Sequence, residues 1–279
     1  MPEGHTIHRL ALDIQRDLGA QTLRISSPQG RFAAAGMLDG ETLVEAEAIG
    51  KHLLLHLQTT CIHIHLGLFG KFYRVTAPAP APRPSVRLRL SGDTRTWDLV
   101  GPTACVCLET SELAALRERI GADPLSARAR PQKAWKTFST SRRAVGALLL
   151  DQSIIAGIGN VYRAEILFLL GIHPEVPANR IGQPQFKKLW ALAQQLLARG
   201  VKEGRIVTTP KIKGVRSTRR ESLYVYKRAE CRTCEGAITS VVLAGRPIYL
   251  CATCQPLDSS YLPSRNQFAT DNTSTARST

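Results

Sequence analysis

The chain has no run of about 18 apolar residues of the kind a membrane-spanning helix needs, and its first ten residues, MPEGHTIHRL, contain no apolar core of a secretory signal. A cytoplasmic protein is therefore expected, associated with the nucleoid if the host is bacterial. A disulfide framework is also missing: the seven cysteines are an odd number, and four of them form two CxxC pairs that suit metal binding in a reducing compartment. Cys61, Cys105 and Cys107 lie in apolar, strand-like segments and read as small buried hydrophobes. Acidic residues are scarce, with 22 Asp and Glu against 37 Lys and Arg, and the net charge of +15 favours a polyanionic partner. The 43% hydrophobic content is enough to fill two modest cores in 279 residues.

Periodicity divides the chain. Ile7, Leu10, Ala11, Ile14 and Leu18 recur at helical spacing before Gly19, so a single helix is expected over residues 6–18. Eight short β-branched or alternating segments follow between residues 22 and 108, separated by turn residues, which predicts a β-sandwich. The prolines from Pro78 to Pro84 cannot pair inside a sheet and mark a loop between two of its strands. From Ser111 the spacing turns helical, and helices are predicted over 135–140, 142–150, 161–170 and 184–199. The expected class is α+β in two domains: an N-terminal sandwich with a flanking helix over 1–118, a linker over 119–134, a helical region over 135–226, a metal-bearing β-hairpin over 227–256 and a disordered tail. Between Gly200 and Arg220 the chain is basic, and Lys211, Lys213, Arg216, Arg219 and Arg220 are available to a phosphate backbone in a mobile loop.

Three local patterns carry chemistry. Cys231 and Cys234 are followed after 16 residues by Cys251 and Cys254, a spacing that closes one tetrahedral Zn²⁺ site. Four thiolates leave the metal no open position, so its role is structural: it shapes a hairpin turning at 244–246 with Arg246 at the tip. A guanidinium there is placed to meet a phosphate, although a solvated turn arginine has the same sequence. The second pattern is a pair of apolar helices joined by AGIGN over 156–160. Gly157 and Gly159 permit a tight turn with backbone close to a ligand, and Asn160 suits a helix cap beside bare N–H groups that attract phosphate. A plain packed helical hairpin would look the same. The third is the start itself, because removing Met1 exposes the secondary amine of Pro2, beside Glu3. An α-amino group has a pKa of about 7.7–8.0, so a useful fraction is neutral near pH 7 and can attack a sugar carbon, with Glu3 as the proton donor.

Together the patterns resemble the formamidopyrimidine-DNA glycosylase / endonuclease VIII family of bifunctional DNA glycosylases. The resemblance spans residues 1 to about 255 and rests on PEG at 2–4, GKHLLLHL at 50–57, GIGNVYRAEILF at 157–168 and GRPIYLCATCQ at 245–255. It implies that the helical region is a helix–two-turn–helix domain, the metal-bearing hairpin a zinc finger, Pro2 a Schiff-base nucleophile and Glu3 the general acid. Lys51 would be a second catalytic group that contacts phosphate and assists β-elimination, Arg246 would assist δ-elimination, and Asn160 would bind the phosphate beside the lesion. Leu68 and Phe69, in HLGLFGKF, match the wedge that fills the gap left by a flipped nucleotide. The PEG start resembles the endonuclease VIII branch and so implies oxidised pyrimidines. Thr6 stands where many members carry a second glutamate. The resemblance also implies damaged duplex DNA as partner, held by a monomer with one structural zinc. The rival reading is a zinc-ribbon DNA-binding protein that does not cut, which gives no reason for Pro2, Glu3 and Lys51 to occur together.

Overall fold

The computed structural model describes residues 2–210, 218 and 221–257. Lys211, Lys213, Arg216, Arg219, Arg220 and the tail from Asp258 lie outside the described residues, as do the loop and tail expectations that rest on them.

Helix α1 (Gly4–Leu18) buries Ile7, Ala11, Ile14 and Leu18, the stripe its spacing predicts. Two four-stranded antiparallel sheets follow. One has the order β1 (Arg24–Ser26), β6 (Val86–Ser91), β7 (Arg95–Val100), β5 (Lys71–Thr76); the other has β2 (Leu43–Ile49), β3 (His52–Leu57), β4 (Cys61–His65), β8 (Ala104–Leu108). Leu53, Leu55, Ile62 and Ile64 meet Leu88, Leu90, Trp97 and Leu99 between the sheets, with α1 packed on the same core. The proline-rich segment leaves β5 and returns as β6, as expected, and is pinned where the Arg89 guanidinium donates to the Pro80 carbonyl at 2.8 Å. A short helix α2 (Ala35–Leu38) closes one end of the sandwich core.

The run HLLLHL in β3 does not alternate because the strand is covered on both faces. Leu54 points away from the sandwich core into a small cluster with Cys61, Leu116, Ile120 and Ala156. Leu116 comes from α3 (Thr110–Arg119), whose start is fixed by a capping box between Glu109 and Glu112, and Ala156 comes from the AGIGN turn of the helical half. The second sheet thus touches the second core region directly.

That region holds α4 (Pro131–Thr140), α5 (Val145–Leu150), α6 (Asn160–Leu169) and α7 (Gln183–Glu203). Helix α5 starts three residues later than its spacing predicts. The Ser141 and Arg143 carbonyls accept the N–H groups of Asn179 and Ala178 at 2.9 Å each, which holds 141–144 extended. The hairpin β9 (Ile238–Leu243) and β10 (Arg246–Cys251) is part of the same core, where Val225, Cys231, Ile248 and Cys251 pack with residues of α5, α6 and α7. Its turn is Ala244-Gly245, both at positive φ (54° and 70°), and Arg246 is the first residue of β10, paired with Leu243. The expected three-residue turn with Arg246 inside it is therefore corrected to a two-residue turn of the kind that matches strand twist.

Glu165 of α6, with no exposed surface, organises the approach to the hairpin. Its carboxylate accepts the N–H groups of Tyr224, Val225 and Tyr226 at 2.8–2.9 Å and the hydroxyl of Thr208. Glu165→Gln would turn an NH₂ toward these donors and leave at least one of them unpaired, costing about 1–3 kcal/mol. Chemical denaturation of the two proteins checks this; equal midpoints would contradict it.

Candidate active site

The site is assembled where the N-terminus of the chain meets the N-terminus of α6. Glu3 is wholly buried, and its Oε2 accepts the N–H groups of Gly159 and Tyr162 at 2.8 and 3.3 Å while Oε1 accepts that of Val161 at 2.8 Å. The helix has Gly159 as its N-cap residue and Asn160 as its first residue. This corrects two expectations. Asn160 does not cap the helix, and the N–H groups of Gly159, Val161 and Tyr162 are taken by a carboxylate of the protein itself, not left bare for phosphate. The Asn160 side chain, in a residue 4% exposed, instead donates from Nδ2 to the Pro247 carbonyl at 2.8 Å and accepts at Oδ1 from Arg163.

The glycines of the turn serve the same junction. Gly157 and Gly159 are buried, and the close approach that their size permits is to the chain's own start: the Gly4 N–H donates to the Gly157 carbonyl at 2.8 Å. A methyl group on Gly4 would stand 2.7 Å from Gly157 Cα, and one on Gly159 would stand 2.4 Å from the Glu3 carboxyl carbon. The turn that carries Lys51 arrives beside them. Gly50 takes φ +58°, and a methyl group there would meet Ala156 Cβ at 2.8 Å. Buried Asp123 fixes that turn by accepting the Gly50 N–H at 2.6 Å and His8 Nε2–H at 2.8 Å on one oxygen, and the Leu125 N–H at 2.8 Å on the other.

In front of this junction lies a cavity of about 110 Å³ lined by Pro2, Ile7, Lys51, His65, Leu66, Gly67, Leu68 and Arg246. Three of the four residues proposed as catalytic, Pro2, Lys51 and Arg246, thus share one small pocket, with Glu3 directly behind Pro2. Leu68 lines it at 53% exposure and Phe69 next to it is 82% exposed, so both large apolar side chains stand out from the surface. His65 was not singled out from the sequence, although it opens the HLGLFG segment. Its Nδ1 lies in hydrogen-bonding distance of both the Thr103 hydroxyl, at 3.1 Å, and the Gly67 N–H, at 3.2 Å, which hold the ring at the edge of the pocket. Arg163, His8 and Asp123 were missed as well, because nothing local distinguishes a buried arginine or aspartate from a solvated one.

The electrostatics suit acid–base work. Burial raises the Glu3 pKa, opposed by the charge of Lys51 and by the three backbone donors. Burial pushes the Lys51 ammonium down to about 8, with Glu3 opposing and Arg246 and Arg163 reinforcing the shift. Burial also lowers His65, so its ring is neutral near pH 7. Glu3 Oε1 accepts one N–H and so keeps a lone pair on which a proton can sit.

The thiols of Cys231, Cys234, Cys251 and Cys254 all lie within 4.8 Å of one another, with Cys231 and Cys254 at 3.8 Å and Cys234 and Cys251 at 3.5 Å. A tetrahedron with Zn–S bonds of about 2.3 Å has edges of about 3.8 Å, so the four fit one structural zinc.

A family model described as the formamidopyrimidine-DNA glycosylase N-terminal domain matches residues 1–102, and the H2TH domain of the same family matches residues 120–211. The chain belongs to the formamidopyrimidine-DNA glycosylase family, on its endonuclease VIII-like side. Endonuclease 8 1 of Mycobacterium tuberculosis is 42% identical over 267 residues, which cover 91% of this chain and 100% of that protein. A formamidopyrimidine-DNA glycosylase of Legionella pneumophila is 28% identical over 233 residues, covering 79% and 84%. Among solved structures, the complex between Lactococcus lactis Fpg and an abasic site containing DNA has the same fold, with a TM-score of 0.75 at 21% identity over 91% of this chain and 100% of that one.

Two substitutions test the junction and the finger. The backbone at Gly159 (φ −118°, ψ −162°) accepts any residue, so Gly159→Ala acts only by pushing Glu3 aside. Base excision is expected to fall at least about tenfold, because small misplacements of an acid are costly; a single-turnover rate equal to wild type would contradict the junction. Cys251→Ser is expected to lose zinc and, with it, the placement of Arg246, read by metal content and strand cleavage. Normal nicking by the metal-free variant would contradict a structural role for the metal.

Proposed function

We propose that the chain excises oxidised pyrimidines from duplex DNA through a Schiff base on Pro2. Its class is that of the family: a DNA glycosylase and AP lyase of base excision repair. The observation that carries the residue assignment is the shared pocket of Pro2, Lys51 and Arg246 with buried Glu3 behind it.

In the proposed sequence the neutral Pro2 amine attacks C1′, Glu3 protonates the sugar ring oxygen, and the ring opens as the damaged base leaves. The resulting iminium withdraws electrons, so a proton is lost from C2′ and the C3′–O bond breaks, releasing one phosphate by β-elimination. Loss of a C4′ proton then breaks the C5′–O bond by δ-elimination, and water hydrolyses the remaining iminium to free Pro2. Lys51 and Arg246 bind and stabilise the departing phosphates, and Lys51, held at about 8, exchanges protons near neutral pH. Asn160 uses one amide hydrogen on the Pro247 carbonyl and keeps the other for the phosphate beside the lesion, while the backbone of Gly157 and Gly159 holds Gly4 and Glu3 in place behind Pro2. Leu68 and Phe69 wedge the duplex where the nucleotide is flipped, a role supported by large apolar surface left in water beside the pocket. The preference for pyrimidines rests on the PEG start and on the endonuclease 8 relatives. The protein acts as a monomer on damaged double-stranded DNA in the cytoplasm, at the nucleoid in a bacterium. Among the described residues no helix is long and apolar enough to cross a membrane. A binder that does not cut would need no nucleophile, acid and cation gathered in one pocket.

Glu3→Gln separates the steps. On a duplex bearing an oxidised pyrimidine, base excision is expected to fall by about a hundredfold or more, the size of a general acid's contribution, while cutting of a ready-made abasic site falls less. Because Glu3 works protonated, wild-type excision should decline as pH rises through its raised pKa, and the variant should lose that limb. Equal losses on both substrates would reject Glu3 as the acid. Faster excision of 8-oxoguanine than of oxidised pyrimidines would reject the lesion class.

A further inference from the structure

Arg163 lies one turn into α6, has no exposed surface and is nevertheless a cation. Burying a guanidinium is costly unless acceptors replace its water, and here they are backbone carbonyls on both sides of the hairpin turn. Nη1 donates to the Leu243 carbonyl at 3.2 Å and to the Gly146 carbonyl at 3.3 Å. Nη2 donates to the Asn160 Oδ1 and reaches the Arg246 and Pro247 carbonyls at 3.4 and 3.5 Å. Leu243 and Arg246 are the register pair that closes the Ala244-Gly245 turn, so one planar fork holds both of its ends. Asn160 adds its own bond to Pro247 at 2.8 Å.

We propose that Arg163 is the positioning residue of the hairpin tip: it sets where the Arg246 guanidinium stands relative to Pro2, and thereby governs δ-elimination. Pro2 is covalently next to Glu3, Glu3 is bonded to the first turn of α6, and Arg163 leaves that same turn for the backbone of Arg246. The nucleophile and the fingertip cation are therefore both referenced to one rigid helix end. Zinc shapes the other end of the hairpin, at Cys251, and cannot alone fix the tip. The carbonyls of an exposed two-residue turn could be satisfied by water, so satisfying them from a buried cation on α6 fixes position more than it adds stability. Among the described residues the Arg163 Nε has no hydrogen-bond partner, so the fork's bonds come from its two Nη groups alone.

The inference rests on the proposed role of Arg246 in δ-elimination, so both are measured together. A duplex with one abasic site is cut under single-turnover conditions by wild type, Arg246→Ala and Arg163→Lys, and the ratio of δ to β product is read. Arg163→Lys keeps a positive charge beside Lys51 but not the planar fork, so its effect reports position rather than charge. The ratio is expected to fall about tenfold or more in both variants, since displacement by about 1 Å is enough for such a loss. A purely structural arginine would slow β- and δ-elimination together and leave the ratio alone. If Arg246→Ala keeps the wild-type ratio, the reading of Arg246 is wrong. If Arg246→Ala lowers the ratio and Arg163→Lys, with zinc bound, does not, the positioning role is wrong. Should Arg163→Lys fail to fold, Asn160→Ala, which removes the other bond to Pro247 and the oxygen that orients the fork, decides by the same ratio.

Discussion

A single buried carboxylate, that of Glu3 on the N–H groups at the start of α6, ties the nucleophile's end of the chain to the helical half, and the other groups of the site gather around that junction. A negative charge at a helix N-terminus is stabilised by up to about 2 kcal/mol, and charge-assisted hydrogen bonds contribute about 1.5–3 kcal/mol each. Those gains offset only part of the cost of burying the charge, so the Glu3 pKa stays raised, and they join the first residues of the chain to a helix more than 150 residues away in sequence. Pro2, covalently next to Glu3, is thereby held at the pocket. The small residues around the junction follow from the same constraint: Gly4 and Gly157 let the two backbones approach to bonding distance, and Gly159 leaves room for the Glu3 carboxylate. The turn bearing Lys51 is brought to the same place by Asp123, whose oxygens tie it to α1 and to the segment entering the helical half.

The sequence announced the elements whose causes are local. The α1 stripe, the strands of the sandwich, the proline-rich loop and the CxxC pairs depend on spacing or residue type, and the structure has each of them. Features with distant causes were read differently. The run of leucines in β3 hid a second covered face, because Leu54 is buried by α3 and by Ala156 of the other half. Asn160 looked like a cap because nothing near it in sequence reveals that Glu3 occupies that place. The glycines of the AGIGN turn signalled close approach correctly, but the partner is the protein's own N-terminus. Arg163 and Asp123 left no trace at all, since a charged residue gains its meaning from carbonyls or N–H groups that only folding brings to it.

The chemistry also depends on how burial redistributes protons. Glu3 is raised and Lys51 lowered by the same loss of water, which draws an acid and a base toward each other's working range near neutral pH. The opposed charges moderate both shifts. Next to them, His65 stays neutral, and Arg246 supplies a charge whose position is set from behind by α6. A DNA-binding module would gain nothing from this tuning, whereas a reaction that alternates protonation of a sugar oxygen with removal of carbon-bound protons needs both groups.

Borohydride reduction of the protein on a duplex containing an abasic site, followed by mass mapping of the peptide joined to DNA, decides whether Pro2 is the nucleophile. A covalent adduct at the N-terminal proline, with Met1 removed, is expected. An adduct at a lysine such as Lys51, or none with zinc bound and the N-terminus mature, would contradict it.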